Sequence, residues 1–152
     1  MLLFFQRRNA IAEQDYSLIA DHALIALTKI ITTYPDVLKT PEVLSFWFDM
    51  LPIWDAANIC DIVYSFLAQL LEEENPAILN EENFQRIIEL VSSNAFSDFM
   101  SNETSIRFSN FFKNMFQTPG YNELMQSAYA SLRNDKDRLN FDKLLSKFIF
   151  LV

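Results

Sequence analysis

Glycine occurs once in the 152 residues, at Gly120, and proline five times. Hairpins and tight sheet connections need residues that tolerate positive φ or preset a turn, so a chain this poor in both is not expected to build a β or mixed fold. Cysteine and histidine also occur once each, as Cys60 and His22. They cannot supply a disulfide or a zinc site, and nothing in the surrounding sequence offers either of them an oriented base or oxyanion donors. A reducing compartment is therefore expected, with no metal and no cofactor. One glycine makes no phosphate-binding loop, and carboxylates scattered over helices are not an acid/base pair, so the chain is read as not an enzyme.

Positive charge is scarce as well: 12 Lys and Arg face 20 Asp and Glu, for a net charge of -8. Phosphate neutralisation draws on clustered basic residues, so no nucleic-acid partner is expected and a basic protein partner is electrostatically easier. No apolar run approaches the roughly 18 to 20 residues needed to span a bilayer, and membrane insertion is not expected. The apolar opening Met1 to Phe5 precedes its arginines, the reverse of a secretory signal.

What the chain does have is hydrophobic residues, 51% of the total with 15 Phe among them, which is ample for a packed core. They recur with a long period. Pro35, Pro76 and Pro119 follow one another at intervals of roughly 40 residues, the length of a helix-pair repeat. At an offset of 41, Val43, Phe46, Trp47 and Met50 fall on Phe84, Ile87, Ile88 and Val91, each set with the spacing of one helix face. At an offset of 40, Asp21, Ala23, Leu24, Leu27, Ile30 and Ile31 fall on Asp61, Val63, Tyr64, Leu67, Leu70 and Leu71. A less regular third set follows: Phe108, Phe111, Phe112, Met115 and Phe116, then Tyr121, Leu124, Met125, Ala128 and Leu132, then Leu144, Leu145 and Phe148. Thr40, Asp55, Asn80 and Asn134 are candidate N-caps, each with good first-turn residues behind it.

The spacing predicts an all-α chain of seven or eight helices in antiparallel pairs. Each pair carries more apolar positions than it can bury alone, so pairs must stack into an α-solenoid of the HEAT-repeat kind. The expected division is a partial first repeat over 1–34, repeats over 35–75 and 76–118, and a C-terminal helix pair over 119–152. Most phenylalanines lie on the inward stripes and are expected to be core. The apolar ends, Met1 to Phe5 and Phe148 to Val152, are unusual for solenoid termini, which normally carry a polar cap.

Several stretches also resemble a known family. Asp21-His-Ala-Leu-Ile-Ala-Leu-Thr-Lys-Ile-Ile31, then Val43-Leu-Ser-Phe-Trp-Phe-Asp-Met-Leu-Pro-Ile53 with Asp55, then Val63-Tyr-Ser-Phe-Leu67, Leu70-Leu-Glu72, Asn75-Pro76 and Ile78-Leu79 resemble, in that order, the C-terminal repeats of karyopherin-β (importin-β type) nuclear transport receptors. The branch that carries ribosomal proteins and histones is the most similar. The likeness runs from about residue 20 to 95 and more weakly to 147. His22 stands where that family usually has Asn, and its acidic stretch after Leu-Pro-Ile is reduced to Asp55. The resemblance implies part of an import receptor that moves between cytoplasm and nucleus through the nuclear pore, binds basic protein cargo and nucleoporin Phe-Gly repeats, and meets the Ran GTPase through repeats outside this chain. A stand-alone HEAT-repeat interaction scaffold without transport activity is the alternative.

The candidate site residues each have two readings. Asp61, like Asp21, either caps its helix or bonds to the next repeat, or else joins Ser65, Ala68 and Glu72 in a stripe open to a basic cargo peptide. Glu72, Glu73 and Glu74 end a helix against its dipole, at about 0.3 to 1 kcal/mol each when exposed, and form either a solvated tip or a cargo contact. Trp54 lies in an intra-repeat turn, as a partner anchor or folded over its own pair. Leu44 and Phe48 flank the expected buried stripe of their helix and are candidates to line a groove for a Phe-Gly repeat.

Overall fold

The computed structural model describes residues 14–56 and 60–147, and all regular structure among them is helical. Eight helices follow in order: α1 (Gln14–Thr33), α2 (Pro35–Leu38), α3 (Pro41–Asp49), α4 (Asp61–Glu72), α5 (Glu81–Asn94), α6 (Asn102–Gln117), α7 (Asn122–Ala130) and α8 (Asp135–Lys147). Three of the four predicted caps act at helix starts. The Thr40 hydroxyl accepts from the Val43 amide at 3.3 Å, Asn80 Oδ1 from Asn83 at 3.0 Å, and Asn134 Oδ1 from Lys136 at 2.9 Å. Each satisfies one of the amides that a helix start leaves without an intrahelical partner. Asp55 does not cap: α4 begins later, at Asp61, and the Asp55 amide is instead a donor to Asp21.

Alternate helices lie side by side. α4 packs between α1 and α6, and α6 packs on to α8; α7 lies against α5 and α6, and α8 crosses back on to α5. One continuous core runs through them, from Leu24 and Ile31 through Leu67 and Ile88 to Phe141 and Leu144. Its C-terminal half is a cluster of rings in which Phe112 meets Phe111 at 5.3 Å and Phe141 at 5.2 Å, both edge-on. Burial of each such side chain contributes about 1.5 to 3 kcal/mol, so the phenylalanine excess is mainly a packing feature. Phe148 lies outside the described residues.

Two predicted faces are rotated. In α3 the fully buried residues are Leu44, Trp47 and Phe48, whereas Val43 and Phe46 are half-buried. The rotation follows from neighbours on both sides: the Trp47 indole N–H donates to Thr28 Oγ1 of α1 at 2.8 Å, and the Arg86 guanidinium of α5 lies 4.7 Å above the Phe48 ring. In α1, Leu24 and Ile31 are buried as expected, but Ala23 and Ile30 face solvent.

Candidate functional site

Asp21 and Asp61 do similar jobs at equivalent places in α1 and α4. Asp21 is fully buried, and its carboxylate accepts from the amides of Trp54, Asp55 and Ala56 at 3.0, 2.6 and 3.1 Å, fixing the turn that follows α3. Asp61 accepts from the Ser101 amide at 2.8 Å, and Ser101 in turn caps α6 through Thr104. Both carboxylates thus reach forward to the segment that leads into the next long helix. Their charge is offset by amide dipoles, which is what makes an interior carboxylate tolerable.

The stripe Asp61, Ser65, Ala68 and Glu72 is a seam between α4 and α6 and not an open face. Arg107 of α6 donates to Ser65 Oγ at 2.9 Å and grips both carboxylate oxygens of Glu72, at 2.9 and 2.7 Å. Glu72 keeps the guanidinium proton bound, raising the Arg107 pKa further. Glu73 accepts from Lys39, just beyond α2, and from Gln69, and these bonds hold its carboxyl below the ordinary carboxylate value. The acidic cluster at the end of α4 is therefore compensated from two neighbouring segments. Of the four residues proposed for cargo, Glu74 is the exception; it stands exposed at φ 52 where the chain leaves α4. The Arg107 and Lys39 contacts were not readable in advance, because partners so distant along the chain share no local pattern.

Leu44 and Phe48 are 1% exposed and belong to the core, so they line no surface groove. Trp54 is 50% exposed, with its backbone amide held by Asp21. An apolar cleft opens elsewhere, between the starts of α5 and α7. It measures about 290 Å³ and is lined by Leu79, Asn80, Glu81, Phe84, Gly120, Tyr121 and Leu124. Gly120 at φ 90 lets the chain turn sharply into α7 beside it. A second cleft of about 290 Å³ lies between the end of α4 and α6, with Glu74, Arg107, Asn110 and Asn114 over Leu71, Phe111 and Met115. Asn110 Oδ1, buried in that wall, accepts no hydrogen bond. The sequence signal for the first cleft was that Leu79-Asn80 and Pro119-Gly120 stand one period apart, each just before a helix start.

Cys60 is buried at the start of α4, its thiol donating to the Phe99 carbonyl at 3.0 Å, and burial pushes its pKa up to about 11. A thiol so suppressed is a packing residue at neutral pH. Among the described residues, no three His, Cys, Asp or Glu side chains converge as metal ligands, and no helix is long and apolar enough to cross a membrane. No family model, no curated protein and no solved structure matches the chain.

Proposed function

We propose that this chain is a stretch of stacked HEAT-type helix pairs from the C-terminal part of a nuclear import receptor, acting by binding and release without chemistry. The observation that carries the reading is the α5–α7 cleft. It lies between two helices that begin consecutive pairs, is walled by Leu79, Phe84, Tyr121 and Leu124, and at about 290 Å³ takes one aromatic side chain of a nucleoporin Phe-Gly repeat. The residues between 20 and 95 that resemble karyopherin-β receptors support the same reading. Basic cargo is assigned to the α4–α6 cleft, where Glu74 and the unpartnered Asn110 oxygen accept from an ammonium or guanidinium head whose stem rests on Phe111 and Met115. Ran contacts fall to repeats outside this chain, and the protein is placed at the nuclear pore, shared between cytoplasm and nucleus.

The test is a titration of the isotope-labelled chain with a Phe-Gly repeat peptide, read by amide chemical shifts. The expected result is shifts at Leu79, Phe84, Tyr121 and Leu124 that vanish in Leu124→Asp while its Tm is kept. A second reading, a stand-alone interaction scaffold, is favoured by one feature: Glu72 and Glu73 are spent on joining neighbouring segments. Absence of Phe-Gly binding from the longest native form of the protein decides for that scaffold.

A further inference from the structure

α1 carries an apolar row turned to solvent. Tyr16, Ile19, Ala23, Ala26, Ile30 and Tyr34 follow one another at steps of three or four positions, and all are exposed. Ile19 is 64% exposed and Tyr34 61%. Steps of this kind put them on one side of the helix, and Tyr34 continues its last turn, donating its amide to the Ile30 carbonyl at 3.0 Å. An isolated exposed Ile needs no explanation, but a continuous row of this length marks a contact face.

The order of the side chains says what fits it. Read from either end the row is Tyr, Ile, Ala, Ala, Ile, Tyr. Its matched pairs, Tyr16 with Tyr34, Ile19 with Ile30 and Ala23 with Ala26, all centre on Leu24 and Ile25. A face that repeats itself on reversal is complementary to a second copy turned end for end, as a twofold contact requires: residue i meets j and j meets i. The alanines at the centre let two backbones approach to the roughly 8 Å of a close helix pair. This order is not inherited from the repeat. One period on, Ala23, Ala26, Ile30 and Tyr34 become Val63, Phe66, Leu70 and Glu74, which do not read the same in reverse. The first three of those are covered by the chain itself, Phe66 meeting the Trp47 ring at 5.0 Å.

Charge favours the same occupant. Two copies of a chain with a net charge of -8 repel each other, least where acids are missing. Between Tyr16 and Tyr34 the sole carboxylate is Asp21, which is fully buried and bonded to the amides of the turn after α3. The row is about 27 Å long at 1.5 Å per residue. A single pair of helices of that length falls at the small end of specific interfaces, about 1,200 Å² in total, which fits a reversible dimer and not a permanent one.

We propose that the exposed row of α1 is a self-association face, on which α1 of a second copy lies antiparallel about a twofold axis near Leu24 and Ile25. Such a dimer uses neither cleft and is independent of cargo and transport.

Sedimentation of the full chain over a concentration series is the test, with Ala23→Glu and Ile30→Lys as variants. The expected result is a dimer that dissociates on dilution, and in each variant a dimer Kd raised at least about tenfold with the Tm of the monomer kept. A charge at an exposed position harms the monomer little but would enter the apolar contact unpaired. A chain that stays monomeric at every concentration overturns the proposal. So does a dimer that both variants leave intact, since its contact would lie elsewhere. The register is read in Cys60→Ser chains: copies with Ile19→Cys, mixed with copies carrying Ile30→Cys, are expected to form disulfides with each other and neither with itself. Self-links in place of mixed links, or none, overturn the antiparallel arrangement. None of these readouts involves Phe-Gly repeats, so their failure leaves the α5–α7 cleft standing, and loss of Phe-Gly binding leaves the dimer standing.

Discussion

Arg107 and Glu72 join α6 to α4 through two parallel hydrogen bonds, 2.9 Å from Nε and 2.7 Å from an Nη. The fork geometry and the third bond, to Ser65, make this a specific polar link between the two helices. It also answers how Glu72 and Glu73 can sit at the end of a helix whose dipole opposes them: cations from α6 and from the chain after α2 take up their charge.

That pairing sets the first prediction. Arg107→Gln removes the cation while leaving Glu72 and Glu74 in the α4–α6 cleft. A basic peptide is then expected to bind more tightly, with affinity that falls more steeply as salt rises. Isothermal titration at two salt concentrations measures both. Unchanged affinity with no salt dependence would remove the α4–α6 cleft as a cargo site.

Leu67 is fully buried at the centre of α4, between α1 and α6. Leu67→Ala is expected to cost about 2 to 5 kcal/mol in urea denaturation, the range for buried Leu truncations. A loss under about 1 kcal/mol would mean that the site collapses freely, which a close-packed seam between three helices does not allow.

Asp21→Ala leaves the Trp54, Asp55 and Ala56 amides without their acceptor, in a turn where Ala56 is buried and Trp54 and Asp55 are exposed. The expected cost is about 1 to 3 kcal/mol, because the buried Ala56 donor loses its desolvation energy in full while the amides of the exposed residues regain water in part. Amide exchange gives a local readout: protection should drop at residues 54–56 before it drops in α4.

The Lys39–Glu73 link carries a pH dependence. Because Lys39 and Gln69 lower the Glu73 pKa in the folded protein, the link stabilises above the ordinary carboxylate value and is lost as pH falls through the depressed folded value. Glu73→Gln should therefore flatten the acid limb of the stability curve and change little at neutral pH, where an exposed pair contributes at most about 1 kcal/mol. Identical acid limbs in the two proteins would show that the pair is not formed in solution.

Cys60 should resist a thiol reagent at pH 8 in the folded chain and react at once in denaturant, since burial raises its pKa to about 11. Fast labelling of the native protein would place this residue in an opening segment and not in the core.

How much of this was legible beforehand follows the range of each interaction. Thr40, Asn80 and Asn134 were recognisable because a cap acts within the first helical turn. Asp55 was misread because Asp is as common in turns as at helix starts, and here the buried Asp21 carboxylate holds the Asp55 backbone amide in a turn. Leu44 and Phe48 were placed one helix step off: the orientation of α3 is decided by Thr28 of α1 and Arg86 of α5, both remote in sequence from the rings they meet. The α5–α7 cleft was absent from the sequence reading, since its walls come from two helix starts meeting in space.

Helicity, most helix starts and the recurrence of apolar positions about every 40 residues are written in the chain alone, because periodicity and capping are local properties of a sequence with one glycine. Which acids are engaged, which face of each helix is covered and where a cleft stays open were settled by folding. Those outcomes depend on groups brought together from distant parts of the chain, and a covered carboxylate and a free one have the same neighbours in sequence.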